Sequence, residues 1–230
     1  MTLPAEATGA APGRGRLTGR RVLVVGAGTR PSPEPDPPLG NGRAISVLAA
    51  REGAAVACAD RDAGAAEATA ALVRAEHAEG TGNGGQAAAV VLADVAAPDA
   101  CAAVVADSAA ALEPGSAIVF ISSAASLRAA TGIPAYDASK AALLGICRQV
   151  AREGMARGIR ANLVVPSLVD TPLGREASRL NPGRTAHRLP FGRQATAWEV
   201  AYATVWLLSG ESSYVNAHPL VLDGGATGFG

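Results

Sequence analysis

Lysine is nearly absent from this chain. Of its 20 basic side chains a single one is lysine, Lys140, and the rest are arginine. Charge of one sign is missing too, since 20 acidic residues balance the 20 basic ones and no block of like charges occurs. Such a chain carries no electrostatic footprint for nucleic acid or for an anionic membrane surface. Cysteine is scarce and odd in number. Cys58, Cys101 and Cys147 have neither metal-ligand spacing nor a disulfide framework, so they read as small buried hydrophobes in a reducing compartment, with no metal. No apolar run is long enough to span a bilayer, and the stretch from Met1 to Arg16 lacks the apolar core of a signal peptide. The expectation is a soluble, cytoplasmic protein.

What is present is an alternation of two periods. The run Arg21 to Val25 is short, β-branched and ends at glycine, as a buried parallel strand does. Similar runs recur at Ala55 to Asp60, Ala87 to Asp94, Ala117 to Ser122, Ile159 to Val165 and Pro219 to Asp223. Between them lie helix-like segments at Gly42 to Glu52, Ala63 to His77, Pro98 to Leu112, Tyr136 to Arg157 and Thr196 to Leu208. Strand and helix in alternation predict an α/β fold with a parallel sheet. The 230 residues suffice for one domain with a substantial core. Residues 1–17 have no periodic apolar face and read as a flexible tail, which leaves 18–230 as the single domain. Gly80 to Gln86 reads as a plain connecting loop.

The first strand runs into Gly26-Ala27-Gly28, and Gly40-Asn41-Gly42 opens the next helix. Between them stands a proline excursion, with five prolines in the eight residues Pro31 to Pro38, which can neither continue a helix nor pair in a sheet. If the excursion is looped out, the glycines close into one turn at the helix N-terminus. There, free N–H groups and the helix dipole attract a pyrophosphate, although a turn without a ligand has the same letters. The second strand ends in Asp60-Arg61-Asp62. A carboxylate at that tip accepts hydrogen bonds from ribose hydroxyls and repels a 2′-phosphate, favouring NAD; Arg61 could instead bind that phosphate and admit NADP. Asp94, followed by Val95, ends the third strand. Its carboxylate either reaches an adenine edge or caps a helix.

The lone lysine falls four residues after Tyr136, on the same helical face, where an ammonium favours the ionised phenol. A tyrosine tuned in this way serves as a general acid or base. Thirteen residues before Tyr136, Ser123 sits at the tip of the apolar run Ala117 to Ile121. Ser, Tyr and Lys in this spacing look like a site for carbonyl reduction or alcohol oxidation.

From Arg20 to Gly225 these features resemble the short-chain dehydrogenase/reductase family. The resemblance implies a doubly wound, Rossmann-type nucleotide-binding sheet. Tyr136 would be the proton donor or acceptor. Lys140 would lower its pKa and hold the nicotinamide ribose, and Ser123 would bind the substrate oxygen. Pro166 to Pro172 is similar to the family's P-G-x-x-x-T-P segment, with Ser167 in place of glycine. Pro166, Val169 and Thr171 are then cofactor-binding positions, and Asp223-Gly224-Gly225 looks like the family's C-terminal ending.

One departure is large. Between Val95 and Ser116 the family places a helix, a strand, an N-N-A-G turn and a second helix, on the order of 40 residues by ordinary element lengths. This chain has 22 residues there and no N-N-A-G, so one central strand and one helix are missing. Closure of the resulting gap of about 10 Å would shift the catalytic groups relative to the cofactor.

Leu173 to Leu189 falls where the family's substrate lid lies. Its Arg175, Arg179, Arg184, His187 and Arg188 suit either an anionic substrate or a solvated basic loop. The sequence therefore predicts an NAD(P)-dependent oxidoreductase, NAD preferred over NADP, acting on a small secondary alcohol or ketone and forming a homo-oligomer. The alternative is a dinucleotide-binding protein with little turnover, because of the shortened 95–116 segment.

Overall fold

The computed structural model describes residues 2–79, 88–92, 94, 115–128, 131–181 and 189–228. The chain divides into two compact units, residues 1–113 with 197–205, and residues 114–196 with 206–230.

The first unit is built on a parallel sheet of β1 (Arg21–Val25), β2 (Ala55–Asp60) and β3 (Ala89–Leu92), in that spatial order. Arg21 pairs with Ala55, and Ala57 with Ala89. The connections are α2 (Asn41–Arg51) and, between β2 and β3, α3 (Ala63–Glu79), as a parallel crossover requires. These helices pack on each other and on β2. The α2 residues Ala44 to Ala50 are all buried, as are Val24, Val56 and Cys58.

Ahead of β1, the segment that composition reads as a tail carries a short helix, α1 (Ala5–Thr8), and buries Ala7, Ala11 and Leu17. The cause is polar and long-range. The Glu52 carboxylate, wholly buried, accepts the Arg14 and Arg16 backbone N–H groups at 3.0 Å each and the Arg16 guanidinium at 2.7 Å. Arg51 donates to the Gly9 and Ala11 carbonyls and lies over the Trp198 ring, 5.4 Å from its centroid.

The second unit holds β4 (Ala117–Ile121), β5 (Arg160–Pro166) and β8 (Pro219–Leu222), again parallel and in that spatial order. β5 is the central strand and is buried at every residue. Its two polar side chains are satisfied. Asn162 donates to Val215 O and accepts His218 N–H, and the Arg160 guanidinium donates to the carbonyls of Leu207, Ser209 and Val215. Over this sheet lies α4 (Pro134–Gly154), whose Cys147 and Ala151 pack with Ala161, Leu163 and Val165. A two-residue pair, β6 (Val169–Asp170) with β7 (Ala195–Thr196), flanks α5 (Pro172–Leu180). The last helix, α6 (Ala197–Leu208), contributes residues to both units.

Helices on parallel strands make this a Rossmann-type α/β fold. Five of the six expected strands match closely, and the third is shorter than expected, Ala89–Leu92. The expected helix at 98–112 and the loop at 80–86 lie outside the described residues. Among the described residues β1 pairs only with β2, and β4 only with β5, so the strands form two three-stranded sheets where the sequence alone predicts a single one. No described helix is long and apolar enough to cross a membrane.

Candidate active site

In the first unit the proline excursion is looped out. The Thr29 hydroxyl accepts the Gly40 N–H at 3.0 Å, so Arg30 to Leu39 leave and rejoin the turn at nearly one point. Gly26 and Ala27 donate to Ala59 O, at 2.8 and 3.0 Å, and fold the chain over the tip of β2. The two glycine clusters then meet. A Cβ on Gly42 would lie 1.9 Å from Gly26 O, and one on Gly28 would lie 2.9 Å from Asp60 Oδ2, so only hydrogen fits at either place.

The N-terminus of α2 has no side-chain cap and no acidic residue in its first turn. Its first backbone N–H groups therefore have no side-chain cap and suit an anion. The Asn41 Oδ1 atom is buried there without a hydrogen-bond partner.

A cleft of about 370 Å³ opens beside this turn, lined by Gly26, Gly28, Asp60, Arg61 and Asp94 among others. Both Asp60 oxygens accept backbone N–H groups, from Gly28 at 2.9 Å and Asp62 at 3.1 Å, which fixes the carboxylate at the cleft wall. Glycines that permit close backbone approach, uncapped helix N–H groups and a fixed carboxylate form a donor and acceptor set that fits an adenine dinucleotide. Val95 lies outside the described residues.

In the second unit Ser123, Tyr136 and Lys140 are supplied by two adjoining elements. Ser123 follows β4 and caps a 3₁₀ turn, its hydroxyl accepting Ala125 N–H at 3.2 Å. Tyr136 stands in the first turn of α4, exposed, and the Lys140 ammonium is 5.7 Å from its ring centroid. Lys140 Nζ donates to Ile121 O at 3.0 Å, while Ser122 Oγ donates to Lys140 O at 2.9 Å, so α4 is laced to the tip of β4 from both sides. Ser116 O and Ser122 N bond to β5, which turns the odd-numbered carbonyls of β4, Ile121 among them, to the opposite edge. The lysine thus caps a strand-edge carbonyl. Burial pushes the Lys140 pKa below the ordinary lysine value.

Pro166 ends β5, and Val169 is buried in β6. The Thr171 hydroxyl caps α5 by accepting Gly174 N–H at 3.0 Å. Asp223 accepts the Gly225 and Thr227 N–H groups at 2.8 and 2.7 Å, closing the C-terminal turn. Arg175 is paired with Asp170 at 2.6 Å, and 182–188 of the basic segment lie outside the described residues. Among the described residues no group of three or more His, Cys, Asp or Glu side chains is placed to hold a metal.

Sequence reasoning missed Thr29, which closes the turn across its insert, and Arg43, whose guanidinium lies between α2 and α3. The only signal for either was position, beside the glycine clusters.

With this geometry in hand, comparison with known proteins is decisive at the level of family. The sequence pattern described as enoyl-(acyl carrier protein) reductase matches residues 104–227. The chain belongs to the short-chain dehydrogenase/reductase family. A short-chain dehydrogenase of Aspergillus ruber is 42% identical over 114 residues, covering 48% of this chain and 42% of that protein. Dehydrogenase/reductase SDR family member 6 of Xenopus laevis is 38% identical over 117 residues, 48% of each chain. The chain thus spans half or less of the length of these curated relatives. A structure described as a short-chain dehydrogenase/reductase of Burkholderia xenovorans is 31% identical with a TM-score of 0.75, covering 93% of this chain and 98% of that one. A structure described as an NAD(P)-dependent gluconate 5-dehydrogenase of Beutenbergia cavernae, with bound NADP at low occupancy, is 28% identical with a TM-score of 0.76, covering 94% of this chain and 100% of that one.

Proposed function

We propose that the protein is an NAD(P)-dependent oxidoreductase that interconverts a small secondary alcohol and its ketone. The observation that carries this reading is the joint placement of Lys140 beside the Tyr136 ring and on Ile121 O, two residues before Ser123. A bound nicotinamide dinucleotide would supply the hydride acceptor or donor. It would be held by the turn of Gly26, Gly28, Gly40, Asn41 and Gly42 and by Asp60, Arg61, Asp94 and Val95, with Pro166, Val169 and Thr171 beside its nicotinamide end.

Tyr136 takes the hydroxyl proton from the alcohol, or returns it to the ketone oxygen. Ser123, whose oxygen already accepts Ala125 N–H, has its own O–H left to donate to the same substrate oxygen. Lys140 uses one ammonium hydrogen on Ile121 O and has two more for the phenol oxygen or a ribose hydroxyl. The fixed Asp60 carboxylate favours NAD over NADP by repelling a 2′-phosphate.

Tyr136→Phe should lower alcohol-dependent NADH formation by about 10²–10⁴-fold and leave NAD affinity nearly unchanged. Unchanged turnover would remove Tyr136 from the chemistry. A second reading, dinucleotide binding with little turnover, is favoured by the absence, among the described residues, of a strand that pairs with both β1 and β4. NAD binding by the unmodified chain with no NADH formation from any secondary alcohol would select it.

A further inference from the structure

The proline insert is pinched at its neck and borders the cleft. The Gly40 N–H reaches the Thr29 hydroxyl at 3.0 Å, and a Cβ on Gly40 would lie 3.4 Å from Thr29 Cα. Just past that neck, Arg30 and Pro31 line the same cleft of about 370 Å³ as Asp60 and Asp94. Farther along, Pro37, Pro38 and Leu39 line a second cavity, of about 400 Å³, together with Gly64 and Ala65 in the first turn of α3. Ala65 borders both spaces, so the insert runs beside the cleft from the glycine turn to the start of α3.

The composition of this wall decides what it can contribute. Five prolines have φ locked by their rings, and Ser32 Oγ accepts the Glu34 N–H at 3.3 Å, so the segment keeps little backbone freedom. A flexible loop that closes over a ligand loses conformational entropy as it orders, and that loss offsets its contacts. A segment held by prolines and a closed neck has little left to lose, so its contacts with a ligand count nearly in full. Pro31 is exposed and has ring surface to bury. A gain of this kind is read mainly in the dissociation rate.

We propose that the insert is a standing wall of the dinucleotide cleft, which contacts the adenosine half of the cofactor through Pro31 and slows its release. This rests on the dinucleotide reading above. A wall that merely obstructed the mouth of the cleft would slow entry and exit alike and leave affinity unchanged. Contact slows exit alone.

The pinched neck supplies the test. A single peptide link spans roughly 3.8 Å between Cα atoms, so Thr29 can be joined directly to Gly40. That excision removes Arg30 to Leu39 and keeps every glycine of the turn. NADH, or NADPH if it binds more tightly, is loaded onto the full and the excised chains, and its release into excess oxidised dinucleotide is followed by stopped-flow fluorescence. The excised chain should release it at least about tenfold faster, with an association rate within about threefold of the parent's. Equal release rates overturn the role of the insert and leave the dinucleotide reading standing, as do entry and exit rates that rise together at constant affinity. No binding of either dinucleotide by the full chain overturns both. Should the excised chain not fold, Pro31→Gly decides, since it keeps the length of the insert and removes the ring. It should speed release by about threefold or more, and a release rate equal to the parent's overturns the proposal.

Discussion

At the scale of single residues, Glu52 ties the segment ahead of β1 to the end of α2. Burial alone would raise its pKa, but the Arg16 side chain and the Arg16 and Arg14 backbone N–H groups outweigh that and hold the carboxyl below the ordinary glutamate value. A carboxyl whose pKa is depressed by folding contributes stability that is complete above its unfolded pKa. That contribution is lost as pH falls through the folded value. Glu52→Ala would strand the Arg16 guanidinium, itself only 10% exposed, and should lower stability by about 3 kcal/mol in urea unfolding at neutral pH. The deficit should shrink below the acidic transition, where the parent chain has lost the same charge. A constant deficit across that range would show that packing, not charge, is responsible. None of this was legible in the sequence, because Glu52 lies 38 residues from Arg14 and 36 from Arg16, with no shared period. Ser123, Tyr136 and Lys140 were legible because their spacing along one strand tip and one helix is itself the signal.

At the scale of elements, the glycine turn was readable in outline and its closure was not. Strand runs and helix periods located β1 and α2 to within a residue or two, yet the letters between them contain only proline excursion and no hint of the Thr29 to Gly40 bond. Two further variants test the turn. Gly42→Ala places a methyl 1.9 Å from the Gly26 carbonyl, and a backbone atom cannot step aside as a side chain can. Dinucleotide affinity should fall by at least about tenfold, since loss of one or two well-aimed N–H bonds is worth roughly that much. Affinity equal to the parent's would mean that the turn does not hold the pyrophosphate. Thr29→Val removes only the tie across the insert. It should cost about 1 kcal/mol of stability and weaken binding less than Gly42→Ala does, a ranking that calorimetry and urea unfolding can check together.

At the scale of the whole molecule, the short segment from 95 to 116 separates the two sets of functional groups along the chain. Each unit accounts for its own local chemistry. The first presents the glycine turn with the Asp60 carboxylate, and the second presents Ser123 and Lys140 at the end of β4, with the Tyr136 ring beside the ammonium. Hydride transfer needs both in one geometry, and a displacement of about 1 Å already costs on the order of a hundredfold in rate. The described strands supply no link between β1 and β4, and the outer face of β1 leaves Leu23 and Val25 37% and 48% exposed. Two measurements on one natively expressed sample separate the possibilities, namely its intact mass and its titration with NAD and NADP. A mass above the 22.8 kDa of this sequence by several tens of residues would supply the central strand and helix, and alcohol-dependent NADH formation should then follow. A matching mass with dinucleotide binding and no NADH formation would leave the glycine turn working by itself. That outcome is physically coherent, because every group of the turn and its carboxylate lies in the first unit and none depends on β4. A matching mass with full turnover would overturn the inference from strand count, and would require residues 95–114 to place the two sets of groups without the family's strand.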